Sequence, residues 1–345
     1  MTPAATDRLL AVLVVAMAAT GLATLRAGTP AAGWVYVVHG LLAGALLATI
    51  ALKVRRSLPR AARSGRWRRL ILGLSVTLLA AAALSGGYLW VASGEILWLG
   101  SWTVLTLHAW LGLALVPLVA VHLLPRRWRL LLPVLRASSR PGPTANRPAN
   151  PGRPVARRAL LAGGALGVAG VGGYLVVAAI ERLRGGERRF TGSRFLPSGG
   201  IPPATTFFGE GPPPVDRASW RVSIDGLVGR RTTLDLAGLR ALGETDAVAV
   251  LDCTSGWAVE TTWRGVPLRR VLDAVGADPL ARGVVIRSAT GWSSSLTAAE
   301  AADCLLATSV AGTDLPVANG APVRLVVPSR RGLDWVKWVS EVSVG

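Results

Sequence analysis

Five apolar stretches, at residues 8–25, 33–52, 70–92, 102–124 and 159–180, constrain this chain more than anything else in it. Each is about as long as a helix needs to cross the hydrocarbon core of a bilayer, about 20 residues at 1.5 Å rise. They commit the first half of the chain to membrane-spanning helices. A domain with its own aqueous surface is expected only after residue 181.

Charge then orients the spans. Residues 51–70 carry eight basic side chains and residues 125–158 carry nine, with no acid in either stretch, whereas 26–32 and 94–101 hold only Arg26 and Glu95. The positive-inside rule puts both basic loops and the N-terminus in the cytoplasm. A net charge of +19 concentrated in membrane loops argues against nucleic acid as a partner. Five spans then put residues 182–345 outside.

The segment "ASSRPGPTANRPANPGRP" (137–154) has no apolar period and reads as part of a basic, Pro-rich cytoplasmic linker over 125–158. It separates a four-helix membrane domain at 1–124 from a fifth helix at 159–181. Arg157 and Arg158 precede that Gly/Ala-rich span and resemble a twin-arginine signal, which implies the twin-arginine translocase as a partner. Arginines placed only by the positive-inside rule are the plainer reading.

Beyond residue 181 the runs shorten and alternate. "WRVSIDGLV" (220–228), 246–253, 283–289 and 323–329 read as strands, while "LRRVLDAVG" and "LTAAEAADCLLA" have helical spacing. An α+β domain is expected. On the second helical stretch Ala301, Cys304 and Leu305 share one face, so Cys304 is expected to be a small buried residue.

All three histidines, His39, His108 and His122, fall inside spans. His39 and His108 lie at similar depth near the outer end of the second and fourth spans, where facing imidazoles can ligate a b-type haem; structural intramembrane histidines are the alternative. His122 follows His108 by fourteen residues, about 21 Å along a helix and on the same face, which allows a second, inner haem. Its counterpart on the facing helix is Lys53. All but two of the 38 basic residues are arginine, so Lys53 and Lys337 stand out as places where a compact ammonium is needed.

With no histidine after residue 122, the outer domain cannot be a Cys-His or Ser-His-Asp hydrolase, nor can two cysteines make a structural zinc site. Cys253, at a strand end before a turn, is then either inertly buried or a thiolate ligand to a soft metal held mainly by a larger cofactor.

The motifs "LDCTSGWAVETTWRGVPLRRVL" (251–272) and "LPVANGAPVRLVVPSRRGLDWVKWV" (315–339) resemble the sulfite-oxidase-fold molybdopterin oxidoreductases, and among them the membrane-coupled protein-methionine-sulfoxide reductase catalytic subunits. The resemblance covers roughly 188–345. It implies a mononuclear molybdenum on a pyranopterin dithiolene with Cys253 as the protein ligand. Asn319 and Arg324 match positions that hold the pterin and its phosphate, Trp335, Val336 and Lys337 match a cofactor-lining segment, and Ser288 replaces a cofactor-binding threonine. Arg330 and Arg331 read either as a solvated turn or as an anion-attracting rim with a catalytic role. The segment 189–211 lacks the family's tyrosine and asparagine contacts. More loosely, "HGLLAGALLATIALK" and "LHAWLGLALVPLVAVH" resemble b-type cytochrome bundles, with Gly40 and Gly112 giving a porphyrin room.

The resemblance implies a multi-pass enzyme of a bacterial cell membrane. It would exchange an oxygen atom and two electrons with a small or protein-bound oxidised substrate outside the cytoplasm, and haem b would couple it to the quinone pool. Sulfoxide or N-oxide reduction is the expected direction and sulfite-type oxidation the reverse. The alternative is a haem b electron carrier, not an enzyme, whose outer domain binds a partner.

Overall fold

The computed structural model describes residues 3–63, 67–127, 157–184, 187–196, 200–202 and 209–345. The linker segment 137–154 lies outside the described residues. The chain divides into two compact units, Met1–Leu22, Trp34–Gly94 and Leu107–Gly185 in the first, and Ala23–Gly33, Glu95–Thr106 and Gly186–Gly345 in the second. Two stretches between apolar helices, 23–33 and 95–106, thus cluster with the C-terminal region.

The first unit is built from α1 (Pro3–Thr24), α2 (Trp34–Arg63), α3 (Trp67–Ala92), α4 (Val104–Arg127) and α5 (Arg157–Leu183). Within them, Pro3–Thr24, Pro30–Arg60, Leu70–Ala92, Val104–His122 and Gly163–Leu183 are long and apolar enough to cross a membrane. Val12, Leu47, Leu78 and Val168 are exposed on their sides, as on helices whose outer face meets lipid. These apolar helices suggest membrane association and are compatible with a membrane domain.

The fifth helix belongs with the others, because α5 packs against α2 and α3. The α2–α5 approach runs through facing glycines: a Cβ at Gly44 would lie 2.6 Å from Gly170 O. Small residues let helix backbones meet where lipid offers no hydrophobic drive. Gly40 is filled by the Tyr174 ring, 2.8 Å from where its Cβ would be, so it gives no room to a porphyrin, whereas nothing lies within 4 Å of Gly112.

The second unit opens with the short hairpin β1 (Trp98–Leu99) and β2 (Trp102–Thr103). There follow β3 (Arg194–Phe195), β4 (Arg221–Gly226), β5 (Thr232–Asp235), α6 (Leu236–Ala241), β6 (Thr245–Asp252), β7 (Trp257–Pro267), α7 (Leu268–Ala274), β8 (Gly283–Ser288), β9 (Ser293–Thr297), α8 (Ala298–Ala302), β10 (Leu305–Val310), β11 (Thr313–Asp314), β12 (Arg324–Val326) and β13 (Val339–Val344). One sheet runs β11-β10-β7-β3, with β12 paired to β10 and β6 to β7; the other runs β5-β4-β13-β8-β9. The α+β expectation holds, and each of the four expected strands has a counterpart.

Strand β7 is the spine of the first sheet. It pairs antiparallel with β6 from Asp252↔Ala258 to Thr245↔Gly265, and with β10 on its other side. Its alternate residues Trp257, Val259 and Trp263 are buried in the core, as period-2 geometry requires. The helical reading of Cys304 is corrected. A capping box between Thr297 and Glu300 starts α8, but the helix stops at Ala302, and the apolar run from Leu305 is extended between β7 and β12. Cys304 sits in the intervening turn, buried, its thiol donating to Glu300 O at 3.1 Å. Burial pushes that thiol up to about 12, so it is inert.

Gly44→Val should destabilise the helical unit by about 1–3 kcal/mol through overpacking, lowering its melting temperature in detergent. Gly112→Ala should leave the melt unchanged.

Candidate functional site

The centre of the site is the turn between β6 and β7. Gly256 N–H donates to Cys253 O at 2.9 Å and Cys253 N–H to Trp257 O at 2.8 Å. Gly256, at φ 93°, supplies the left-handed residue that such a tight reversal needs. Ser255 N–H points at Cys253 Sγ, 3.5 Å away. The half-buried thiol is not in a disulfide.

The backbone of this turn is held from below by a buried carboxylate that sequence reasoning missed. Asp252 Oδ2 accepts from Thr191 Oγ1 at 2.8 Å and lies 3.2 Å from Arg189 Nε. Its Oδ1 accepts from Ser193 Oγ at 2.7 Å and from Arg331 Nη2 at 3.1 Å and Nε at 3.2 Å. Arg331 Nη2 also donates to Cys253 O at 3.0 Å, and Nη1 to Thr24 O at 2.8 Å. The Asp252 and Arg331 side chains are 2% and 3% exposed. The turn carrying Arg331 passes so close that a Cβ at Gly332 would lie 3.2 Å from Asp252 O.

The solvated-turn reading of Arg330 and Arg331 is therefore corrected, and both are engaged with carboxylates. Neither is a solvated turn residue and neither presents a spare charge. Arg331 is locked on Asp252, and Arg330 makes a bidentate pair with Glu300, Nε to Oε1 at 2.8 Å and Nη2 to Oε2 at 2.7 Å. That pair holds the Glu300 carboxyl down at about 2 and raises Arg330. A guanidinium is drawn to the nearest carboxylate, and here the tertiary fold supplies one to each.

Arg324 and Lys337 form no carboxylate ion pair among the described residues. Arg324 is buried beside the edge-to-face pair of Trp263 and Trp335, 5.7 and 5.8 Å from its guanidinium carbon to the ring centroids. Its Nη1 donates to Asn319 O at 2.7 Å, but its Nε, like the buried Trp257 Nε1, has no acceptor among the described residues. Burial lowers Arg324 to about 10, against the pull of Cys253 and Glu210. Lys337, 5.1 Å from the Trp338 ring centroid, is lowered to about 8 by burial and then by Arg324, again opposed by Glu210 and Cys253. Cys253, Arg324, Lys337 and Glu210 thus share one electrostatic neighbourhood.

The remaining expected residues surround this group. Asn319 is buried, its Nδ2 donating to Pro202 O at 3.3 Å. Trp335 Nε1 donates to Arg330 O at 3.0 Å, and Val336 O accepts from Leu325 N–H at 2.8 Å, tying the 335–337 segment to β12. Ser288 Oγ pairs with Thr290 Oγ1 at 2.8 Å, whose hydroxyl donates in turn to Glu210. Glu210 was also missed; an acid following "TTFFG" carries no local signal, and only the tertiary fold brings it here.

Buried donors without acceptors and buried cations without an ion-paired carboxylate among the described residues fit a large anionic group with hydrogen-bond acceptors, such as a pterin phosphate. Among the described residues no three His, Cys, Asp or Glu side chains cluster as a metal site. A metal at Cys253 would therefore take its other ligands from a cofactor.

In the helical unit, His39 and His108 are brought together with ring centroids 6.1 Å apart and planes at 88°. Thr20 Oγ1 donates to Ala16 O at 2.8 Å, which leaves its lone pairs to accept from His39 Nδ1 at 2.8 Å. His108 Nδ1 likewise donates to Ala83 O at 2.7 Å. With each Nδ1 carrying the proton, each Nε2 presents a lone pair, the state of a metal-ligating imidazole. A metal about 2.0–2.1 Å from two such nitrogens puts the centroids roughly 6 Å apart. The glycines beside these rings are not the expected Gly40 and Gly112 but Gly21, Gly86 and Gly87, whose Cβ atoms would lie 3.3, 3.3 and 3.1 Å from histidine atoms. Lys53 is engaged elsewhere: its Nζ lies 3.0 Å from Asp7 Oδ1. His122 is buried beside Gly73 of α3.

Residues 210–345 match the family described as the oxidoreductase molybdopterin binding domain. The chain is 33% identical over 132 residues to a candidate protein-methionine-sulfoxide reductase subunit, YedZ1, of Azospira oryzae, covering 38% of this chain and 50% of that one. It is 29% identical over 143 residues to the protein-methionine-sulfoxide reductase catalytic subunit MsrP of Gluconobacter oxydans, covering 36% and 46%. With the sulfite oxidase of Gallus gallus it shares 31% over 169 residues, covering 38% and 36%. The chain spans about half the length, or less, of these relatives. It carries a molybdopterin-binding oxidoreductase domain of α+β fold related to MsrP and sulfite oxidase.

Asp252→Asn should cost about 3–5 kcal/mol of unfolding free energy in denaturant titrations, because Arg331 and Arg189 lose their buried counter-charge. Lys337 carries the pH signature. Its folded value, about 8, lies below its ordinary 10.5, so between these values the unfolded chain binds more protons and stability rises with pH. Lys337→Met should flatten that rise in unfolding measured from pH 8 to 10.5.

Proposed function

We propose that this protein reduces sulfoxides, methionine sulfoxide in proteins or as a free compound among them, outside the cytoplasm of a bacterial cell, with electrons from the quinone pool passing through haem b. The observation that carries the reading is the Cys253 thiol in one electrostatic neighbourhood with the buried cations Arg324 and Lys337, neither of them ion-paired among the described residues, inside a molybdopterin-binding domain. When bound, the molybdenum cofactor supplies two-electron oxygen-atom exchange. The balance is one sulfoxide, two electrons and two protons giving one thioether and one water.

The chain's own residues bind, orient and shield. Cys253 is the thiolate ligand, held from its backbone by the Asp252–Arg331 pair so that Sγ stays available. Arg324 and Lys337 neutralise the cofactor's phosphate, and Asn319 and Ser288 line it. Trp263, Trp335 and Trp338 wall the pocket against water, which strengthens every charge interaction inside it. In the membrane unit His39 and His108 hold haem b; His122 would serve a second haem or a quinone site.

The same reading places the N-terminus and both basic loops in the cytoplasm and the C-terminal domain outside. Arg157 and Arg158 would direct export through the twin-arginine translocase after cofactor loading.

The test is elemental analysis with a reduced-minus-oxidised visible spectrum. Purified protein should hold one molybdenum per chain and a b-type spectrum, and should reduce methionine sulfoxide. Cys253→Ser should abolish turnover while the domain stays folded. His39→Ala or His108→Ala should remove the main haem spectrum and quinol-driven activity but spare activity with artificial donors. Molybdenum-free, fully active protein would overturn the reading.

A further inference from the structure

Three buried hydroxyls meet on the Cys253 turn and have no part in the scheme above. Thr103 Oγ1 donates to Ser255 O at 2.7 Å, and Thr106 Oγ1 donates to Ser255 Oγ at 3.2 Å. The two threonine hydroxyls lie 3.1 Å apart. Thr103, Thr106 and Ser255 are 0%, 3% and 1% exposed, and all belong to the second compact unit.

Part of this arrangement is ordinary helix capping. Thr103 precedes α4 and its Oγ1 accepts from Thr106 N–H at 3.2 Å, which satisfies one orphan donor of the first turn. A cap uses only the acceptor side of the hydroxyl. The Thr103 proton on Ser255 O and the Thr106 hydroxyl on Ser255 Oγ are surplus to the helix, and both grip one residue. That residue's N–H is the group facing Cys253 Sγ. Holding its carbonyl and its side chain leaves the N–H no freedom to turn away from the sulfur.

We propose that Thr103 and Thr106 are positioning residues for the cysteine–metal bond, a bracket that keeps the Ser255 N–H on the thiolate. The inference rests on Cys253 being the molybdenum ligand. A hydrogen bond to a ligating sulfur withdraws charge from it, weakens its donation and favours the reduced metal. Loosening the bracket makes the metal harder to reduce without removing a ligand.

The experiment is a redox titration of the full-length enzyme, followed by the Mo(V) electron paramagnetic resonance signal, with molybdenum content and thermal melting in parallel. Thr106→Val, which leaves the Thr103 cap intact, and Thr103→Val should keep molybdenum but lower the Mo(VI)/Mo(V) potential by about a tenfold change in equilibrium constant, about 59 mV for one electron. Thr103→Ser, which restores both hydrogen bonds, should titrate as wild type. Titrations of both valine variants superimposable on wild type would overturn the bracket while leaving Cys253 as ligand. So would loss of molybdenum from Thr106→Val, since turning one N–H leaves the other ligands in place. Wild-type protein without molybdenum would instead remove the ligand assignment, and the bracket with it.

Discussion

The second unit depends on one buried carboxylate. Asp252 ends β6 inside the protein, where an uncompensated charge would cost several kcal/mol. The fold answers with Thr191, Ser193, Arg189 and Arg331 from two distant segments. Arg331 carries the effect one residue further by donating to Cys253 O. Cys253 is thereby fixed through its backbone carbonyl.

The motif 315–339 builds two kinds of cation. Arg330 and Arg331 are ion-paired with carboxylates; Arg324 and Lys337 lie against tryptophan rings with no ion-paired carboxylate among the described residues, Glu210 acting on them only from within the same electrostatic neighbourhood. The difference lies in what the fold brings opposite each side chain. The Arg324 guanidinium lies against the edge-to-face pair of Trp263 and Trp335, and the compact ammonium of Lys337 fits where Gly320 leaves room for its stem. This accounts for one of the two lysines in an arginine-rich chain. The other, Lys53, is explained by its pair with Asp7.

In the helical unit the constraint is tautomeric. Thr20 and the Ala83 carbonyl take the Nδ1 protons of His39 and His108, so two lone pairs are aimed from rings 6.1 Å apart.

Hydropathy alone determined the five membrane-length helices, because lipid demands length and apolarity that no soluble element imitates. Composition also narrowed the candidate ligands: three histidines confined to the spans left only Cys253 and Cys304 as thiols in the outer domain, and the motif around Cys253 singled it out by resemblance. The alternating runs disclosed β4, β6, β8 and β12, but the eleven-residue β7 was hidden by its charged and glycine-containing stretch, and β10 by the helical start before it. Only the tertiary structure decided which charges are available. Pairings such as Arg331 with Asp252, Arg330 with Glu300, and Glu210 with Thr290 join residues 30 to 80 positions apart. Local sequence carries no record of them, because a side chain's charge is set by the residue and its availability by the neighbours that folding delivers.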